Sequence, residues 1–229
     1  MEELTLNEYE VAEDMLIDGL KIVQDTRLYR FTSDSVLLSR FATPKKNDVI
    51  ADFCAGSGVV GFHFFALHKN LLSQTPFTLF ELQSPLLSLA KKTARLNGFT
   101  NFSFENCALQ NLPKEYNERF SLILCNPPYE RGGLENDCYE KAICRKELTL
   151  TLNELAKALS RALKFDGRVN MVHRADRLAE LCYTLKKYNL EVKKLQFVAG
   201  TPTAIPYLVL IEAVKGGKPT TKLLPTIVN

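Results

Sequence analysis

The chain has 229 residues, 46% of them hydrophobic and 24% charged, which is enough to bury a substantial core in one α/β domain with a small extension. No apolar run reaches the length of a membrane span, and the acidic, polar start from Met1 to Tyr9 is unlike a secretory or transit leader, so a cytoplasmic protein is expected. The net charge of +3 hides an asymmetry: residues 1–140 hold 13 basic against 19 acidic side chains, residues 141–229 hold 16 against 7. A basic half of this kind suits either a face for a polyanion or a solvated, Lys-rich helical surface.

The six cysteines (Cys54, Cys107, Cys125, Cys138, Cys144 and Cys182) form no C-x-x-C pair, and His63, His68 and His173 are not at zinc-finger spacings. Reduced thiols and no structural metal are the expectation.

Along the chain, apolar runs alternate with helical patterns, the signature of βαβ units and a parallel sheet. Residues 1–47 are too few for an independent domain and are expected to pack over the sheet's ligand edge, leaving 48–229 as the core of a single domain. Asp48–Phe53 reads as a buried strand that meets a Gly-containing turn, and a helix follows from Val59 to about Asn70. Phe77–Glu81 is a second strand, and the helix from Ser84 to Asn97 stops at Gly98. Phe102–Cys107 and Phe120–Cys125 are the third and fourth strands. Glu130 to Asp137, with Gly132-Gly133, reads as a loop. A helix over Leu152–Leu163, a strand over Gly167–His173 and a helix over Asp176–Tyr188 come next. Val192–Val198 and Tyr207–Val214 are the last two strands, joined by a loop holding Pro202 and Pro206.

Two segments carry chemistry. Asp52-Phe53-Cys54-Ala55-Gly56-Ser57-Gly58 lies between a strand and a helix, where the backbone approaches a ligand and a helix N-terminus is exposed. Glu81 closes the second strand, where a carboxylate accepts both hydroxyls of a ribose; that position indicates a ribose without saying which nucleotide. The full G-x-G-x-x-G is absent, since position 54 is Cys, which argues against NAD.

The other segment is Asn126-Pro127-Pro128-Tyr129, directly after the fourth strand. An exocyclic amine or carboxamide nitrogen is a poor nucleophile because its lone pair is delocalised. Two acceptors out of the amine plane, the Asn126 side-chain oxygen and the Pro127 carbonyl, would draw its hydrogens and localise that pair. The two prolines restrict the backbone and pre-set the carbonyl direction. Tyr129 offers a ring for a planar substrate to stack on. Base and carboxamide are equally open on these residues alone.

With these residues in view, the chain resembles the class I methyltransferases, and more closely the bacterial tRNA(Val) adenine-N6-methyltransferase family. The likeness spans Leu16–Ile22, Phe31–Leu38, Arg145–Thr149, Val172–Leu178 and Glu212–Pro219. It implies a Rossmann-like α/β fold, with a mostly parallel seven-stranded sheet and helices on both faces, and S-adenosyl-L-methionine as cofactor. It places Asp52, Cys54, Ala55, Gly56, Gly58, Glu81, Leu82, Cys107 and Ala108 at the cofactor and Asn126, Pro127 and Tyr129 at the target nitrogen.

The partner implied is a structured tRNA with a single-stranded loop target, extruded at less cost than a base in a duplex. Lys186, Lys187, Lys193, Lys194, Lys215 and Lys218 would hold its phosphates. A monomer without metal or membrane is expected. The alternatives are protein glutamine N5-methylation, which would require more than 47 residues before the first strand for a helical domain, guanine N2-methylation of ribosomal RNA, and a non-catalytic cofactor-binding module.

Three departures from the family pattern matter. Cys54 replaces the first glycine, which is tolerated if the backbone there is not strongly left-handed. Ala108 stands where relatives carry an acid for the cofactor adenine, so a backbone group or Asn106 would serve. Thr32-Ser33 replaces Gly-Thr, which leaves the role of Asp34 open.

Overall fold

Strand-forming runs of apolar residues organise the chain, and the computed structural model describes residues 5–28, 30–129 and 149–229. The loop over 130–137, the block 145–148 and the thiols of Cys138 and Cys144 lie outside the described residues. In chain order the strands are β1 (Glu10–Asp14), β2 (Lys21–Asp25), β3 (Ile50–Phe53), β4 (Phe77–Glu81), β5 (Phe102–Asn106), β6 (Phe120–Cys125), β7 (Leu163–Arg174), β8 (Leu190–Ala199), β9 (Leu208–Lys215) and β10 (Lys222–Val228). The helices are α1 (Ser33–Phe41), α2 (Val59–Leu67), α3 (Lys69–Leu72), α4 (Ser84–Leu96), α5 (Leu152–Ala162) and α6 (Leu178–Lys187).

β1 and β2 form a separate antiparallel hairpin, and the other strands make one sheet in the order β10-β8-β9-β7-β6-β3-β4-β5. β9 runs antiparallel to both of its neighbours, and every other pairing in this sheet is parallel. Apolar side chains of α1, α2 and α4 join one core face, and those of α5 and α6 join the other. β3, β4 and β6 are buried throughout, as central parallel strands covered on both faces must be. Across β4 and β5, Phe77 pairs directly with Phe102 and their rings stack with centroids 4.6 Å apart.

The sheet has eight strands rather than seven. The added strand, β10, pairs with β8 in parallel, and its register slips between Leu224 and Ile227, around Pro225. A proline without an N–H is accommodated on an edge strand at such an irregularity. It also breaks the alternating pattern by which a strand is read from sequence.

At the opposite end of the sheet from the Gly-containing turn, a buried ion pair ties β3 to β7. Arg168 meets Asp48 at 2.7 Å with both side chains buried, and the Ser121 hydroxyl donates to Asp48 Oδ1 at 2.6 Å. Burial alone would raise the Asp48 carboxyl, but hydrogen bonds from Arg168, Ser121 and the Lys45 N–H outweigh it and hold the pKa below its ordinary value.

At the turn itself, Gly58 has φ +85° and forms the cap of α2. A Cβ there would stand 2.4 Å from the Phe62 ring and 2.9 Å from Leu79. Asp52 supplies what the glycine cannot, since its Oδ2 accepts the Gly61 N–H of the first helical turn at 2.9 Å.

Asp48→Ala strands the Arg168 guanidinium in the interior and should cost about 3–5 kcal/mol in chemical unfolding. A carboxylate with a depressed folded-state pKa contributes stability above its unfolded value and loses it as pH falls through the folded value. Wild-type stability should therefore carry an acid-side loss that Asp48→Asn lacks. Gly58→Ala should lower stability by about 1–3 kcal/mol from the left-handed backbone, with displacement of Phe62 adding to it; an unshifted thermal midpoint would contradict this packing.

Candidate active site

The parallel register of β3 and β6 pairs Phe53 with Cys125, so the turn that starts at Cys54 and the segment that starts at Asn126 leave the sheet at the same level, side by side. β4 ends beside β3 at Glu81, and β5 ends beside β4 at Asn106. These ends enclose a cavity of about 370 Å³. Cys54, Ala55, Gly56, Glu81, Leu82, Cys107 and Ala108 line it, and so do Asn126, Pro127 and Tyr129.

Asp52 and Gly58, expected at the cofactor, are not on its wall. Asp52 is fully buried beneath the turn. Burial pushes its carboxyl up to about 8, against the opposing Gly61 hydrogen bond, with the charge of Glu81 adding to the rise. Its Oδ1 finds no partner among the described residues. A carboxyl in that state is mostly protonated at neutral pH.

The backbone at Cys54 is left-handed, with φ 59°. The condition under which cysteine would replace glycine without strain is therefore not met, and an L-residue in this conformation is disfavoured by roughly 1–2 kcal/mol. The turn is held nonetheless by the Ala55 N–H, which donates to the Phe80 carbonyl at 3.0 Å, and by the Gly58 N–H, which donates to Ala55 at 2.8 Å. A hydrogen bond to Cys125 and then burial raise the Cys54 thiol well above its ordinary value, so it stays a neutral thiol.

Glu81 is shaped by the same turn. Its Oε2 accepts the Gly56 N–H at 2.8 Å and its Oε1 accepts the Gln83 N–H at 2.8 Å. Burial raises its pKa against those bonds. Each carboxylate oxygen keeps a lone pair for a further donor. Around Gly56 (φ 56°) nothing lies within 4 Å of where a Cβ would stand, so the backbone opens directly on the cavity. Asn106 is not on the cavity wall; its amide nitrogen donates to the carbonyls of Glu81 and Leu82 at 2.9 and 2.8 Å, which leaves its side-chain oxygen as the free acceptor. The wall near Ala108 is completed by Leu109 and Gln110.

At the other lobe, the Asn126 amide nitrogen donates to Ser35 Oγ at 3.2 Å, which leaves the carboxamide oxygen as the acceptor on the remaining side. The Tyr129 hydroxyl donates to Asp34. The Tyr129 ring packs against His173 with centroids 5.5 Å apart, and its carbonyl accepts from Arg177 at 3.1 Å. Burial lowers the His173 imidazole to about 4, so it is neutral at physiological pH.

Asp34, Ser35 and Gln24 are the residues that sequence reasoning missed or left without a role. Gln24 is fully buried and donates to the Ser57 hydroxyl of the turn. The sequence blocks 31–38 and 172–178 marked these neighbourhoods, but nothing in them told which side chains would meet the segment.

The basic C-terminal half does not converge here. β9 ends at Lys215 beside the start of β8, the end of the sheet away from the cavity, and Lys186 and Lys187 close α6 at that same end. Lys186 pairs with Glu191, Lys194 with Glu212 at 3.0 Å and Lys215 with Glu118 at 3.0 Å. Lys193 donates to the Lys218 carbonyl at 2.8 Å. Three of these lysines pair with neighbouring carboxylates, and none of them lines the cavity.

Among the described residues no group of three or more His, Cys, Asp or Glu is placed to hold a metal, and no helix is long and apolar enough to cross a membrane.

The model of a methyltransferase domain family matches residues 44–222. A tRNA1(Val) (adenine(37)-N6)-methyltransferase from Shewanella sediminis is 23% identical over 181 residues, which cover 77% of this chain and 72% of that protein. Among solved structures, a predicted O-methyltransferase from Agrobacterium tumefaciens superposes with a TM-score of 0.67 at 18% identity, covering 85% of this chain and 86% of the other. A Pyrococcus abyssi tRNA (uracil-54, C5)-methyltransferase, solved with S-adenosyl-L-homocysteine, superposes with a TM-score of 0.59 at 14% identity, covering 91% of this chain and 45% of its own.

The cavity suits the cofactor of this fold on its own terms: an open backbone at Gly56, a carboxylate at Glu81 with acceptor capacity left, and an apolar wall from Leu82 to Ala108. With its sheet order, its turn and a family model covering most of its length, the chain belongs to the methyltransferase domain family and takes S-adenosyl-L-methionine as its methyl donor.

Proposed function

We propose that the enzyme methylates the exocyclic N6 of an adenine in tRNA, next to the anticodon of tRNA(Val). The observation that carries this reading is the Asn126 carboxamide at the end of β6, opening on the same cavity as the cofactor turn, with its nitrogen tied to Ser35 and its oxygen left to accept. S-adenosyl-L-methionine, when bound, supplies an electrophilic methyl group. Glu81 would hold its ribose hydroxyls, and the backbone from Ala55 to Gly56, with Leu82, Cys107 and Ala108, would line the rest.

The Asn126 oxygen and the Pro127 carbonyl accept the two hydrogens of the adenine amine and draw the nitrogen lone pair out of conjugation. Both acceptors are fixed before the substrate arrives, which is the larger part of their value. Tyr129 is buttressed from behind by His173 and gives the base a face to stack on. No strong general base is required, because the methylated ammonium is itself acidic. In the same reading residues 1–47 and 48–229 form one catalytic unit. The tRNA assignment rests on relatives such as the Shewanella protein, and not on the lysines, which gather away from the cavity.

Incubation with labelled S-adenosyl-L-methionine and total tRNA, followed by digestion to nucleosides, should place the label in N6-methyladenosine. Label in N2-methylguanosine or in a protein fraction instead would sink this assignment. Asn126→Ala should lose methyl transfer by roughly a hundredfold or more, while S-adenosyl-L-homocysteine binding measured by calorimetry stays near the wild-type value.

A further inference from the structure

Two consecutive residues at the start of α1 grip the two ends of the Asn126–Tyr129 segment. Ser35 accepts the Asn126 amide, Asp34 accepts the Tyr129 hydroxyl, and both line the cavity. Neighbouring residues on a helix point about 100° apart, so adjacent positions can reach two places three residues apart on another segment. The helix that carries them is anchored. Leu37 and Leu38 are buried in the core, and the Ser39 hydroxyl lies 2.7 Å from His63 Nδ1 on α2.

We propose that Ser35 and Asp34 are positioning residues for methyl transfer: Ser35 tethers the far side of the Asn126 carboxamide and so holds its plane, and Asp34 fixes the plane of the Tyr129 ring. The inference rests on the roles given to Asn126 and Tyr129 above.

An asparagine side chain is nearly symmetrical in shape but not in function. Rotated by half a turn, it offers two N–H donors where the reaction needs an acceptor. The oxygen serves the reaction only while the carboxamide keeps its plane, and the hydrogen bond from the Asn126 nitrogen to Ser35 Oγ at 3.2 Å tethers its far side. For Tyr129, stacking alone would be served equally well by phenylalanine. The hydroxyl matters here because its bond to Asp34 sits at the ring's far tip, while Arg177 holds the carbonyl at the backbone end. Tied at its hydroxyl to Asp34 and backed by His173, the ring is restrained in its plane. Neither Asp34 nor Ser35 need touch the substrate for this to work.

The full chain should be assayed with labelled S-adenosyl-L-methionine and tRNA as Ser35→Ala, Ser35→Thr, Asp34→Ala, Tyr129→Phe and the Asp34→Ala/Tyr129→Phe double variant. Thermal midpoints and S-adenosyl-L-homocysteine affinity are measured alongside. Ser35→Ala should lower kcat by roughly tenfold with cofactor affinity within about twofold of wild type, and Ser35→Thr should restore kcat. Asp34→Ala and Tyr129→Phe should lower kcat to a similar degree, and the double variant should be no worse than either, because both remove one bond.

Unchanged kcat in Ser35→Ala, a parallel loss of kcat, cofactor affinity and thermal midpoint, or multiplicative losses in the double variant would each overturn the inference. Asn126→Ala run beside them separates the two levels. If it is silent while Ser35→Ala is fully active, the positioning role alone falls; if it is active, the catalytic reading falls and takes the positioning role with it.

Discussion

Every element of the site depends on one piece of geometry, the in-register parallel pairing of β3 with β6 that sets Phe53 against Cys125. A slip of one residue would invert every side chain on β6 between the two cores. It would also separate the turn at Cys54 from the segment at Asn126 by the length of a residue, a large error for groups that must meet across one transferred carbon. The apolar sequences of both strands, buried on both faces, hold that register. The Asp48–Arg168–Ser121 cluster reinforces it from the far end, where it joins the start of β3 to β6 and β7. The buried ion pair and the ligand cavity thus stand at opposite ends of the same strands.

At the cofactor turn, Cys54 occupies a left-handed conformation, and Asp52 keeps an oxygen in the interior without a partner among the described residues. Neither favours folding. Both persist because the surrounding backbone bonds over-determine the turn, from the Phe80 carbonyl to the carboxyl groups of Glu81 and Asp52. Glu81 acts twice: it organises the turn through Gly56 and presents the remaining lone pairs of its carboxylate to the cavity.

Much of this was legible in the amino-acid sequence. β4 and β6 were readable to the residue because each is a short, mainly apolar run between polar breaks, and the positions of Glu81 and Asn126 follow from where those runs stop. β10 was hidden by Pro225 and by an irregular register that no periodicity describes. The pairing of Asn126 with Ser35 and of Tyr129 with Asp34 spans 91 and 95 residues, and no local pattern encodes contacts at that separation. The excess of lysine after residue 140 does not mark the cavity: α6, β8 and β9 carry five of these lysines to the end of the sheet away from the ligands, where Lys186, Lys194 and Lys215 pair with carboxylates.

The outer edge of the sheet bears on how the protein behaves among copies of itself. An exposed edge strand offers a ladder of unpaired N–H and carbonyl groups to any passing strand, and a long regular one invites open-ended stacking. β10 withholds that ladder. Pro225 has no hydrogen to donate, its carbonyl is already taken by Gln196 at 2.8 Å, and the register break beside it spoils the regular spacing a second strand would need. The residue that concealed the strand from sequence reading therefore also interrupts the outer edge of the sheet, where a further strand would otherwise find a regular ladder.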